Sequence, residues 1–87
     1  MTGKDYRKEY VANKTAYMSL KAHVKDRLRI LITLYPEAPI NKNEKTIKAS
    51  DIDTEWFEQM STQLRISIIE TIEEWSEEQQ GVQQLKI

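Results

Sequence analysis

Four glutamates, Glu70, Glu73, Glu74 and Glu77, recur at helical spacing. Carboxylates so grouped could hold a hard divalent cation or pair for acid–base work. All four would sit on one helix, however, and a closed cation site draws ligands from several elements. The glycine-containing calcium-loop pattern is absent. The expected role is therefore a solvated acidic face that pairs with nearby cations, although a symmetric dimer could bring two such clusters together. His23 is the single histidine and there is no cysteine, so neither a usual metal set nor a nucleophile pair can be completed. Gly3 and Gly81 cannot build a phosphate loop. No catalytic residue, metal or cofactor is expected, and the chain is not expected to be an enzyme.

The other charged set is basic. Lys4, Arg7, Lys14, Lys21, Lys25 and Arg29 fall within a sector of roughly 100° if residues 4–35 are helical. Such a ridge could track phosphates, with Tyr6, Tyr10 or Tyr17 stacking on bases. It could equally pair with the acidic half of the same chain, with the tyrosines in the core. Glu55 joins the four glutamates as a candidate acidic contact face. Arg27 lies inside the apolar stripe of the first helix, where its stem can pack while its head reaches a carboxylate, or where a buried ion pair could set an oligomer seam. Trp56 lies off the main line of the second helix, either covering the loop or anchoring a partner. Arg27 and Trp56 are the candidate interface anchors.

These residues need helices to position them. Tyr6, Tyr10, Tyr17, Leu20, Val24, Leu28, Leu31 and Tyr35 recur at steps of three, four or seven, the period of one helical face. Pro36 ends the pattern. The first helix is expected over about 4–35, a rod of roughly 48 Å if continuous, with a break at Asn13 as the alternative. Residues 36–53 read as a loop, because one extended piece at Thr46–Ala49 has no evident strand partner. A second helix over about 54–80 starts behind Ser50 or Asp53 and stops at Gly81, with a short tail after it. Its stripe is Phe57, Met60, Leu64, Ile68, Ile72 and Trp75.

The near-neutral net charge of −1 conceals a division between the halves. Residues 1–50 hold eleven Lys/Arg and five Asp/Glu; residues 51–87 hold two and nine. Folded back on itself, the chain would set Lys4, Arg7 and Lys8 beside Glu73, Glu74, Glu77 and Glu78, relieving unfavourable helix-dipole ends, and Lys25, Arg27 and Arg29 near Asp51, Asp53, Glu55 and Glu58. The expected fold is all-α: a single domain over 1–87, an antiparallel helical hairpin. Two helices cannot enclose a core, so it is completed as a three-helix bundle or by dimerisation into a four-helix bundle. Val11, Met18, Ile30, Ile32, Trp56, Ile66 and Ile69 lie off the stripes and favour self-association, as a dimer. No stretch approaches the roughly 20 apolar residues of a membrane span, and a soluble cytoplasmic protein is expected. The functional expectation is a non-enzymatic regulator, adaptor or inhibitor that binds a larger protein, with nucleic-acid or nucleotide binding through the basic ridge as the alternative.

Overall fold

The computed structural model describes the backbone of residues 2–12 and 17–85 and the side chains of residues 2–8 and 20–80. The elements in chain order are α1 (Gly3–Ala12), α2 (Tyr17–Leu34), β1 (Pro39–Lys42), β2 (Lys45–Lys48), a 3-10 turn (Ala49–Asp51), α3 (Thr54–Gln59) and α4 (Thr62–Leu85). The Asn13 position and Lys14 lie outside the described residues.

The architecture is mostly helical with one small sheet. α1 and α2 both pack on α4 and on each other. Their directions follow from their contacts. Gly3 meets Glu73 while Arg7 meets Ser67 and Glu70, so α1 runs opposite to α4. Arg27 meets Glu73 while the Tyr35 ring meets Trp75, so α2 runs in the same sense as α4. The expected single rod over 4–35, antiparallel to the second helix, is therefore corrected. Only its first part is antiparallel to α4. α1, α2 and α4 form a three-helix core within one chain.

The segment read as a loop is a β-hairpin. Ile40 pairs with Ile47 and Lys42 with Lys45 in antiparallel register. The two connecting residues, Asn43 and Glu44, both have positive φ, 50° and 67°. Two consecutive left-handed residues match the right-handed twist of the flanking strands. Asn tolerates that geometry; Glu does not favour it, and this hid the turn in the sequence. Glu44→Gly is expected to stabilise the fold by about 1 kcal/mol, measured by urea denaturation. The hairpin docks through Ile40, 1 % exposed, onto α4. Backbone bonds from Ala49 N–H to the Ala38 carbonyl (2.8 Å) and from Ser50 N–H to the Pro36 carbonyl (3.0 Å) close its base.

The expected helix over 54–80 is two helices. Asp53 caps α3, accepting from the Trp56 N–H at 2.7 Å. Met60 is extended, and Ser61 then accepts from the Leu64 N–H at 3.1 Å, starting α4. Nor does Gly81 stop the helix, which continues to Leu85.

The core also turns. The expected stripe on α4 ran through Leu64, Ile68, Ile72 and Trp75, but Leu64 is exposed and Trp75 only half-buried. The buried residues are Thr62, Arg65, Ile66, Ile68, Ile69, Ile72 and Ser76. Their arc is centred roughly 100° round from the expected line. Ile66 and Ile69, read as favouring a further covering surface and so self-association, are covered inside the chain. Polar Thr62, Arg65 and Ser76 fill the middle of the true arc, so a hydrophobicity wheel sees its edge. Tyr6, Leu20, Val24, Leu28 and Leu31 are buried as their spacing requires; the side chains of Tyr10 and Tyr17 lie outside the described residues. Among the described residues no helix is long and apolar enough to cross a membrane.

Candidate functional site

The first turn of α1, the C-terminal half of α2 and the second half of α4 meet at one end of the bundle. They border an open cleft of about 520 Å³. Buried Leu31 forms its base, with Leu34 and Tyr35 on the α2 side. Glu70, Glu73, Glu74, Glu77 and Gln80 form the α4 wall, and Thr2 and Lys4 bound it on α1.

Close approach of α1 to α4 shapes the cleft. A Cβ on Gly3 would lie 3.0 Å from the backbone nitrogen of Glu70 and 3.1 Å from the Ile69 side chain. Only a residue without a side chain fits. The Gly3 N–H donates to Glu73 Oε1 at 2.7 Å, placing a carboxylate on the positive end of the α1 dipole. Thr2 and Asp5 complete the start of α1 reciprocally: the Thr2 N–H donates to the Asp5 carboxylate (3.0 Å) and the Asp5 N–H to the Thr2 hydroxyl (3.3 Å). The Thr2 N–H, and after it the Thr2 hydroxyl donating at 3.0 Å, hold the Asp5 carboxyl below its ordinary value. Gly3→Ala is expected to push α1 from α4, at about 1–3 kcal/mol, with faster hydrogen exchange in α1 than elsewhere.

The sequence-selected charges divide into engaged and unengaged groups. Arg7 donates to Glu70 (Nε, 2.9 Å) and to Ser67 (3.1 Å). Arg27 reaches Glu73 at 3.2 Å with its side chain half-buried, and its buried Nε has no hydrogen-bond partner among the described residues. Lys25 and Arg29 both pair with Glu58, at 2.8 and 3.4 Å, clipping α3 onto α2. Lys4, Lys21, Glu55, Glu74 and Glu77 are exposed, with no ion pair among the described residues. Glu55 sits on α3 and does not line the cleft. The acidic face is thus a four-glutamate wall without Glu55. The basic ridge has half its members tied to carboxylates. Trp56 is half-buried beneath Lys42, whose Nζ lies 4.7 Å from the ring centroid, so it covers the hairpin instead of standing free. His23 is exposed, and no group of three potential metal ligands occurs among the described residues.

Two further participants stand outside the candidate site residues. Glu58 is the shared partner of Lys25 and Arg29; the sequence places it near these cations together with Asp51, Asp53 and Glu55, and spacing does not single it out. Arg65 is buried, its Nη2 donating to the Phe57 carbonyl at 2.9 Å. The Phe57 ring has guanidinium groups of Arg29 and Arg65 at 5.3 and 5.2 Å from its centroid.

The Lys25 hydrogen bond, opposed by desolvation and aided by the charges of Lys25 and Arg29, holds the Glu58 carboxyl below its ordinary value of 4.5. A carboxyl with a depressed folded pKa stabilises the fold above its unfolded pKa and loses that contribution as pH falls through the folded pKa. Stability is therefore expected to fall as pH drops below about 4.5. Glu58→Gln should be less stable than the parent near neutral pH, with the gap closing in acid. Urea midpoints across the pH range measure this.

Compared with family models, curated proteins and solved structures, the chain finds no match in any of the three.

Proposed function

We propose that this chain is a non-enzymatic interaction protein, a small regulator, adaptor or inhibitor that acts by binding a larger protein through the cleft between α2 and α4. The observation that carries the reading is the distribution of unengaged groups. Glu74 and Glu77 on the wall, and Leu34 at the rim (60 % exposed), have no partner within the described chain. Exposed apolar area rimmed by polar groups is characteristic of protein-binding surfaces. Nucleic-acid binding through the ridge is less well supported, since Arg7, Lys25 and Arg29 are held by Glu70 and Glu58. A phosphate backbone would have to compete with those carboxylates. Self-association has also lost its main support, because Ile66 and Ile69 are buried within the chain.

Site-specific photo-crosslinking in producing cells tests the reading. A crosslinker at Leu34 is expected to form a discrete adduct with another protein, and one at Lys21 no adduct with nucleic acid. Nucleic-acid adducts at Lys21, with DNA or RNA binding that falls steeply with salt, would replace this reading with the alternative. Light scattering identifies a Leu34 adduct that is merely a second copy.

A further inference from the structure

Resting on the protein-binding reading, we infer that the cleft takes a cationic amphipathic helix of the partner, with apolar residues on Leu31 and Leu34 and Lys or Arg against Glu74 and Glu77. Three features lead there. First, Leu34 (60 % exposed) lines the cleft beside its Leu31 base, and Ile30 (50 % exposed), which does not line the cleft, stands one helical turn before Leu34 on α2. Second, the walls are two helices running in the same sense. The groove between them follows the α2 face from Arg27 to Tyr35 and the α4 face from Glu70 to Gln80, roughly 12–15 Å. That accommodates about two to three turns of a helix, and among the described residues no strand edge lines it to add an extended peptide.

Third, the unengaged charge beside Leu31 and Leu34 is mainly negative. Glu74 and Glu77 lie one turn apart on the wall. The C-terminus of α2 adds a partial negative charge at the same end. Arg27 is committed to Glu73, which leaves Lys4 as the opposing charge among the described lining residues. An acidic segment or a nucleic acid would meet repulsion in this cleft; a cationic helix meets complementary charge.

The test titrates the full chain with a fluorescent helical peptide carrying leucines at steps of three and four and lysines elsewhere, against the same peptide with glutamates for the lysines. The lysine peptide is expected to bind, more weakly as salt rises, and the glutamate peptide not to bind. Glu74→Gln with Glu77→Gln should weaken binding about 3- to 10-fold. Lys4→Glu should tighten it. Leu34→Asp discriminates best: diffuse charge attraction predicts tighter binding, whereas seating on Leu31 and Leu34 predicts binding weaker by about fivefold or more. Circular dichroism checks that these exposed substitutions leave the fold intact. Tightening by Leu34→Asp, equal binding of both peptides, or no binding at low ionic strength would overturn the inference. A protein adduct at Leu34 without binding of the lysine peptide refutes the cationic helix while leaving the protein-binding reading standing; absence of both removes the two together.

Discussion

Ile69→Ala is expected to lower the stability of this chain by about 2–5 kcal/mol, and Leu64→Ala by only a fraction of that. Both are large aliphatics on α4, five residues apart. Ile69 is 0 % exposed, at the seam where α1 lies against α4; its Cγ2 is 3.1 Å from the position a Cβ on Gly3 would occupy. Truncation there removes buried methyls and leaves a cavity that the close α1 contact cannot readily fill. Leu64 is 36 % exposed, and truncating it removes less buried area. A chain of this size draws on a net stability of only about 5–15 kcal/mol, and each kcal/mol corresponds to about 4–8 °C in melting temperature. Urea and thermal denaturation of the two variants would therefore separate them clearly. Equal losses would mean that the buried arc of α4 has been placed wrongly.

Arg65 supplies the second large effect. Its side chain is 2 % exposed, yet no carboxylate pairs with it among the described residues, and its Nε has no hydrogen-bond partner. What it does have is the Phe57 carbonyl at the end of α3, which otherwise accepts only a long 3.4 Å bond from the Met60 N–H, and the face of the Phe57 ring. Arg65 thus holds the short α3 against α4 where the chain bends at Met60 and Ser61. Arg65→Ala is expected to cost about 2–4 kcal/mol, combining a cavity with a poorly satisfied carbonyl. Arg65→Met keeps most of the volume and removes the need to bury a cation, so it should cost less than alanine. The pair of denaturation midpoints separates packing from charge. Trp56 on α3 offers a second readout, since loosening of α3 would shift its fluorescence. If methionine were as damaging as alanine, the hydrogen bond to Phe57 would be the dominant contribution of Arg65.

These two residues also show where the sequence is legible. The helical spacing of Tyr6, Leu20, Val24, Leu28 and Leu31 predicts their burial, because α1 and α2 each present one apolar face to a neighbour. On α4 the same procedure finds one edge of the core: Ile68 and Ile72 are buried as expected, but Leu64 is exposed and buried Ile66 and Ile69 lie off the line. α4 is covered from two sides, and Arg65, Thr62 and Ser76 occupy the centre of the covered arc. Once polar residues occupy the middle of a covered arc, hydrophobic periodicity marks only its margins. The hairpin escaped for a different reason: Glu44 adopts a left-handed conformation that its residue type disfavours, in a hairpin whose Ile40 is buried on the bundle.

The candidate site divides in the same way. The clustering of Glu70, Glu73, Glu74 and Glu77, the basic ridge and their mutual attraction are consequences of sequence order and helical pitch alone. Which of them pair is not. Arg7 takes Glu70, Arg27 takes Glu73, and Lys25 and Arg29 share Glu58, because α1 runs against α4 while α2 runs alongside it. Local spacing determines the face on which a charge stands. Only the packing of the three helices, set by the fit of Gly3 on α4 and the return of the chain through the hairpin and α3, decided which charges were neutralised. Glu74, Glu77 and Leu34 remain beside an open cleft because no described element of the chain covers them there.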